Sequence, residues 1–328
     1  MALSLNLLTL YADLQQQLAV RAERHGTIYR QKIKGGTYAY SRRNVGRARR
    51  DVFLGREDDE DVQARVELIR AETTLAKDRR KIVSALKAAG FPAPPTETAL
   101  VLDALDDAGV LRQIVIVGTA AYQIYAPLLG AIPEQAYRTS QDADFATMSL
   151  AISGDAKNET LETILRRADL KFTGRLGLDR KSLPSSFRAA SGFMVDLLTP
   201  IFRRDDPNPM PLPNLKAGAT PLQHLKWLVE NAVPIAVLHG SGIPAFVPQP
   251  ARFAIHKFII AQKRAVNREK RFKDLAQAKA IIDILKTRDP YALEDARDAA
   301  FADGKEGWEV PIRRSLKELK LNSEFEAV

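Results

Sequence analysis

QIVIVGTAAYQIYAPLLG (113–130), RTSQDADFA (138–146) and FMVDLLTP (193–200) stand in that order in the middle of a 328-residue chain. The first opens as a short apolar run, breaks at Gly118 and continues as helix-forming sequence, which reads as buried strand, turn and helix. On a strand, alternate residues share a face, so Asp142 and Asp144 project together from DADF. Two carboxylates on an otherwise apolar strand repel each other and are costly to bury unpaired. A divalent cation removes that cost. Asp196 is a lone acid between Val195 and Leu197 on a third strand. If that strand lies beside DADF, the three carboxylates form a cluster able to hold two Mg²⁺ ions, or Mn²⁺ in their place, about 3.5–4 Å apart for in-line phosphoryl transfer. Backbone N–H groups at a helix start next to a glycine bind phosphate. The Thr119 hydroxyl adds a donor there, or simply caps the helix. A DxD, a lone strand aspartate and a Gly-Thr step are each common. Their succession within one block of alternating helices and strands is what carries meaning.

Around this centre the chain divides into three: residues 1–95, 96–215 and 216–328. The first block reads as a helix near 5–24, a hairpin about Gly35-Gly36 in TIYRQKIKGGTYAYSRR, a further strand ARRDVFLG, and one long charged helix over 57–90 with acids first and bases last. FPAPPTET breaks the chain. The middle block alternates helix 97–108, strand QIVIVG, helix TAAYQIYAPLLG, strand DADFAT, helix ETLETILRRAD and strands KFTGRL, FRAASG and FMVDLLT. That alternation argues for α/β (α+β) packing. RRDDPNPMPLPNLKAG reads as an irregular connection. The last block is mostly helical, with a hairpin in PIAVLHGSGIPAFVPQP and helices RFAIHKFIIAQKRAV and KDLAQAKAIIDILK.

Lys plus Arg is 49 and Asp plus Glu is 40, a net charge of +9, which favours acidic partners such as nucleotides or nucleic acid. Residues 21–50 concentrate this charge: Arg21, Arg24, Arg30, Lys32, Lys34, Arg42, Arg43, Arg47, Arg49 and Arg50 face only Glu23, with Tyr29, Tyr38 and Tyr40 interleaved. Such a hairpin grips RNA or DNA, or else its tyrosines cover a small core while its arginines stay solvated. No cysteine is present, so disulfides, thiolate metal sites and cysteine nucleophiles are excluded. The histidines His25, His224, His239 and His256 have no zinc-like spacing. A metal here is hard and oxygen-ligated. No apolar run reaches the length of a membrane span, and the N-terminus lacks the features of a signal peptide, so a cytoplasmic protein is expected.

The three motifs resemble the glycine-hydroxyl, DxD and third-aspartate motifs of the DNA polymerase beta nucleotidyltransferase superfamily. They are most similar to a bacterial branch related to abortive-infection-type toxin nucleotidyltransferases, where a His-Lys helix and a later Lys-Asp segment recur. Here these are His256-Lys257 and Lys273-Asp274-Leu275-Ala276-Gln277-Ala278. The resemblance covers about residues 96–286. It departs at Thr119, where many members have Ser, and in a longer gap between Gly118 and Asp142. It implies a nucleotidyltransferase-fold core with a mixed sheet, flanked by an N-terminal helix and hairpin region and a helical C-terminal domain. It further implies an NTP substrate held by Gly118 and Thr119, metals held by Asp142, Asp144 and Asp196, and Asp196 helping to deprotonate the acceptor hydroxyl. Lys257 and Arg264, seven apart on one helical face, with Lys263 and Lys273, would meet the triphosphate or the acceptor. The alternative for this helix is a solvated basic face. Arg138 would orient an aspartate or touch phosphate, and Asp274 would pair with a nearby cation. RNA, tRNA above all, is the favoured acceptor, reached through residues 21–50 and the helix 253–273, and a toxin or defence role is compatible. The alternative is a catalytically silent module of the same fold that binds nucleic acid or a protein partner, although all three carboxylates are retained.

Overall fold

The computed structural model describes residues 2–21, 25–134, 142–147, 159–169, 171–175, 182–201, 209–264 and 267–321. Helix α1 (Leu5–Ala19) is followed by the antiparallel strands β1 (Thr27–Ile33), β2 (Gly36–Val45) and β3 (Ala48–Arg56), which form a sheet of their own. The register pairs Ile33 with Gly36, so the first turn is Lys34-Gly35, one residue earlier than the sequence suggested. Both turn residues have positive φ, 42° and 84°, the backbone that matches strand twist in a two-residue hairpin. The long helix α2 (Glu60–Ala88) starts where the Asp59 carboxylate accepts from the backbone N–H of Asp61 at 2.9 Å. It lies against one face of the small sheet, where Ala39, Val62 and Val66 make a separate minor core.

After α3 (Thr96–Asp107) the chain builds the main sheet from β4 (Val115–Val117), β5 (Asp142–Ala146), β6 (Thr173–Arg175), β7 (Ser186–Arg188), β8 (Met194–Pro200), β9 (Met210–Leu212) and β10 (Ala217–Leu222). Its order is β4-β5-β8-β10-β9, with β7 also on β8 and β6 on β7. The β5–β8 and β8–β10 pairs are parallel and the others antiparallel, so the sheet is mixed as expected. β7 and β10 share one edge of β8, β7 along Met194–Asp196 and β10 along Leu198–Pro200. Two strands lie in or beside the stretch read as irregular. β9 is an edge strand of three residues, where a proline is tolerated because no ladder donor is required of it. Its flanking prolines hide any alternation. β10 lies past position 215 yet completes the main sheet.

The helix expected over TAAYQIYAPLLG is divided into α4 (Gly118–Ile124) and α5 (Ala126–Leu129). Pro127 has no N–H to give the carbonyl four residues back, so the helix cannot run through. α6 (Leu161–Leu165) is capped by Thr160, whose hydroxyl accepts from Thr163 N–H at 3.1 Å. The chain closes with α7 (Leu225–Val229), the hairpin β11 (Val233–Val237) and β12 (Ile243–Val247), then α8 (Pro250–Lys263), α9 (Arg268–Arg288), α10 (Pro290–Ala302) and α11 (Val310–Glu318).

One main core draws on all three stretches of the sequence, from Leu14 and Leu18 through Ile116, Phe145 and Val195 to Ile282 and Leu316. The Tyr11 hydroxyl donates to Ala236 O at 2.9 Å and accepts from Ala236 N at 2.8 Å, so α1 is fastened to the hairpin of the last block. Among the described residues, no helix is long and apolar enough to cross a membrane.

Candidate active site

β5 alternates as its sequence requires. Ala143 and Phe145 are buried, while Asp142 and Asp144 lie partly accessible on the other face. The parallel register sets Asp144 directly beside Asp196 of β8, which alternates in the same phase between buried Val195 and Leu197. On its other side Asp144 is paired with Val117, the last residue of β4. Gly118 follows with φ of 60°, and a Cβ there would stand 2.3 Å from Asp144 Oδ2. Glycine is therefore required twice over, for the left-handed backbone and for the space that the carboxylate occupies.

Burial pushes Asp144 up to about 7, and the charges of Asp142 and Asp196 add to the rise, against a smaller pull from Lys257 and Lys270. Burial likewise raises Asp196. The Ser186 hydroxyl opposite it on β7 works the other way, and Asp142 again raises it. Each of these carboxylates thus has other carboxylates among its principal neighbours. Among the described residues, no three Asp, Glu, His or Cys side chains already form a metal-binding group. The donor set nonetheless suits a hard divalent cation. It is all oxygen, it is aligned across adjacent strands, and it is destabilised by its own charge.

A cavity of about 380 Å³ runs from Gly118 and Asp144 to α8. Leu198, Leu222, Leu225, Leu228 and Phe253 form its apolar wall, and Lys257, Lys263 and Arg264 contribute its cations. Lys257 is buried, with Nζ 2.5 Å from Asp274 Oδ1, and Arg264 Nε stands 2.6 Å from Asp274 Oδ2. Asp274 on α9 thus fixes two cations of α8 at the cavity, the pairing anticipated for it. Lys263 Nζ lies 2.7 Å from both Gln223 Oε1 and His224 Nε2. Burial lowers Lys263 and also Lys273, where the charge of Asp142 opposes the shift.

Of the anticipated residues, Gly118, Asp144, Lys257, Lys263 and Arg264 therefore line one cavity. Asp142, Asp196 and Lys273 act on it through neighbouring charge. Thr119 is buried behind it and makes no cap; its hydroxyl accepts from Gln277 Nε2 at 3.4 Å. Arg138 lies outside the described residues. Sequence reading missed Lys270, whose charge reaches both Asp144 and Asp196. Its spacing was the available signal, because Lys270, Lys273, Asp274 and Gln277 fall on one face of α9.

The basic block 21–50 is largely occupied. Arg21 Nη2 holds Asp106 at 2.6 and 2.7 Å, both side chains buried. Arg43, Arg50 and Arg167 converge on the fully buried Asp107 carboxylate. Gly46 N–H donates to Asp103 at 2.6 Å. The contacts of Arg43, Gly46 and Arg50 brace the small sheet against α3.

Fold and site together define a mixed-sheet α/β protein whose acidic strand pair faces a cation-lined cavity. The chain belongs to the nucleotidyltransferase family, which it matches over residues 96–302, more than half its length. No curated protein matches it. Among solved structures it is similar to the crystal structure of an antigenic nucleotidyltransferase-like protein from Paracoccidioides brasiliensis, at 15% identity and a TM-score of 0.36, over 72% of this chain and 95% of that one.

Proposed function

We propose that the chain transfers a nucleoside monophosphate from an NTP to an acceptor hydroxyl, with RNA, tRNA above all, as the acceptor, in a toxin or defence setting. The observation that carries this reading is the alignment of Asp144 with Asp196 across β5–β8, with Gly118 opening space over the carboxylate and three cations in the same cavity. Asp142, Asp144 and Asp196 would hold Mg²⁺ or Mn²⁺. When bound, such ions neutralise the charge of a triphosphate and draw the attacking and leaving oxygens into line. Lys257, Lys263 and Arg264 supply fixed positive charge where negative charge leaves with pyrophosphate, and Asp274 holds two of them in place. Lys270 and Lys273 approach from α9. Asp196, raised by burial, accepts the proton of the acceptor hydroxyl. The apolar wall receives the nucleoside and keeps water from the reacting phosphorus.

The test is label transfer from each α-labelled NTP, with Mg²⁺, total RNA and cell lysate. Incorporation is expected with the wild type and a loss of at least roughly 10²–10³-fold with Asp142→Ala/Asp144→Ala. Equal incorporation by both proteins would remove the site. Absence of incorporation from every NTP, together with no Mg²⁺-dependent NTP binding by calorimetry, would favour the silent binding module.

A further inference from the structure

The small N-terminal sheet has two different faces. Against α2 it turns Ala39 and part of Ile28 and Leu54, and a side chain at Gly55 would strike Val62. The opposite face carries a continuous row of rings. Tyr29 and Tyr40 are stacked at 5.2 Å, Tyr40 meets Phe53 at 5.3 Å, and Phe53 meets Tyr38 at 5.9 Å. They come from all three strands through the register, which sets Tyr40 opposite both Tyr29 and Phe53. Phe53 is 57% exposed, more than a ring in a packed core would be. The Arg42 guanidinium carbon lies over the Tyr29 ring, 4.0 Å from its centre, where the ring's quadrupole attracts a cation.

The charges around these rings differ from those that brace the sheet. Arg21, Arg43 and Arg50 serve α3, but Arg49 and Arg56 fall on the ring-bearing face by register and keep more than half of their side-chain surface in solvent. Lys34 is exposed at the adjoining turn. The acids nearby, Asp51 and Asp58, are matched by Arg42 and Arg56. The face is thus an aromatic platform with a cationic border. Flat π-faces take bases of any sequence, and the border suits a phosphate backbone.

We propose that this face binds single-stranded RNA by stacking a base on the exposed Phe53 ring, with Tyr38 and Tyr40 flanking it and Tyr29, held between Tyr40 and the Arg42 guanidinium, supporting the row. RNA is the occupant because the hydroxyls of Tyr38 and Tyr40 place hydrogen-bond acceptors at the ends of the rings beside Phe53, where a 2′-hydroxyl can donate and a deoxyribose cannot. The assignment deepens the RNA-directed form of the proposed function, since a strand held here is an acceptor delivered to the chain. Binding itself requires neither NTP nor metal. Because most arginines of the block are already paired, stacking supplies more of the affinity than charge does, and the salt dependence is shallow.

The experiment is fluorescence anisotropy of a labelled oligouridylate of about 12 nucleotides, a length within the range one such platform spans, without NTP or Mg²⁺. Wild-type protein is expected to bind it in preference to the matching deoxy-oligonucleotide and to duplex RNA. Phe53→Ala is expected to weaken binding roughly tenfold, and Tyr40→Ala by a similar factor. Phe53→Trp should retain binding. Phe53 is exposed, so its alanine variant should melt as the wild type does. Asp144→Ala should bind RNA normally, which separates this proposal from the fate of the transferase reading. Failure of the wild type to bind, equal binding by Phe53→Ala, or a preference for duplex would each overturn it, and capture of a protein by this face in place of RNA would do the same.

Discussion

Asp103, Asp106 and Asp107 on α3 and Asp142, Asp144 and Asp196 on β5 and β8 are two sets of aspartates set into the same protein, yet the chain surrounds them differently. On α3 each carboxylate meets a donor from the N-terminal block: Gly46 N–H for Asp103, Arg21 for Asp106, and Arg43 and Arg50 for Asp107. Burial alone would raise Asp107, but those two guanidiniums bring it below the ordinary carboxylate value. On the sheet the principal charged neighbours of Asp144 are Asp142 and Asp196, and it rises to about 7. An acid provided with its own cation is part of the framework. Acids arranged around one another form a site that an outside cation completes.

The sharpest way to break this contrast is to neutralise one member of each set. Asp106→Asn leaves Arg21 charged and buried, and removing one partner of a buried ion pair costs about 3–5 kcal/mol. Asp144→Asn removes a charge that its neighbours repel, so the metal-free protein is expected to hold its melting temperature or gain slightly. Chemical denaturation of both variants reads the opposite signs. If Asp144→Asn unfolded the protein as readily as Asp106→Asn, the sheet carboxylates would be framework too.

That contrast also marks what the sequence could convey. The succession strand, Gly118, helix, Asp142-Ala143-Asp144, Asp196 was legible because each element is local and its alternation or break is written in adjacent residues. The His256-Lys257 helix and the Lys273-Asp274 segment were legible as a resemblance, and Asp274 as a partner to a cation. The purpose of LDALDD (102–107) was not, since three acids on a helix look solvated until the donors that meet them, the Gly46 N–H for Asp103 and arginines for Asp106 and Asp107, arrive from far along the chain. The same limit applied to residues 21–50, where the sequence displayed charge and aromatics but not which face each would take. β9 escaped because three residues between prolines carry no periodicity, and Lys270 because its relation to Asp144 exists only across elements.

A second test uses pH. Asp144 has a folded value above its unfolded one, so its contribution to stability is present below about 4 and is lost as pH rises through about 7. Asp107 is lowered, so its contribution is present above the ordinary aspartate value and is lost on acidification through its folded value. The wild type, melted with and without Mg²⁺, should therefore gain more from the ion at pH 8 than at pH 6, where protons compete for Asp144. An excess of about 100 times Kd corresponds to about 2.7 kcal/mol. Asp142→Ala/Asp144→Ala should lose that gain. An equal Mg²⁺ effect at both pH values would place the ion elsewhere.

The effect on stability expected at Gly118 is small beside that at Asp106, and there stability and activity should part. An alanine at φ of 60° costs about 1–2 kcal/mol for the left-handed backbone, far less than the loss of a buried ion pair. Its Cβ, however, would lie 2.3 Å from Asp144 Oδ2, so the carboxylate must turn away from the cavity that it shares with Lys257, Lys263 and Arg264. Gly118→Ala should accordingly remain folded while label transfer falls toward the level of Asp142→Ala/Asp144→Ala. Adding Asp144→Asn to Gly118→Ala should cost little further activity, because both changes remove the same carboxylate from the same place. If the two losses instead multiply, Gly118 serves the triphosphate directly as well as making room for Asp144, and its lack of a side chain has two uses at once.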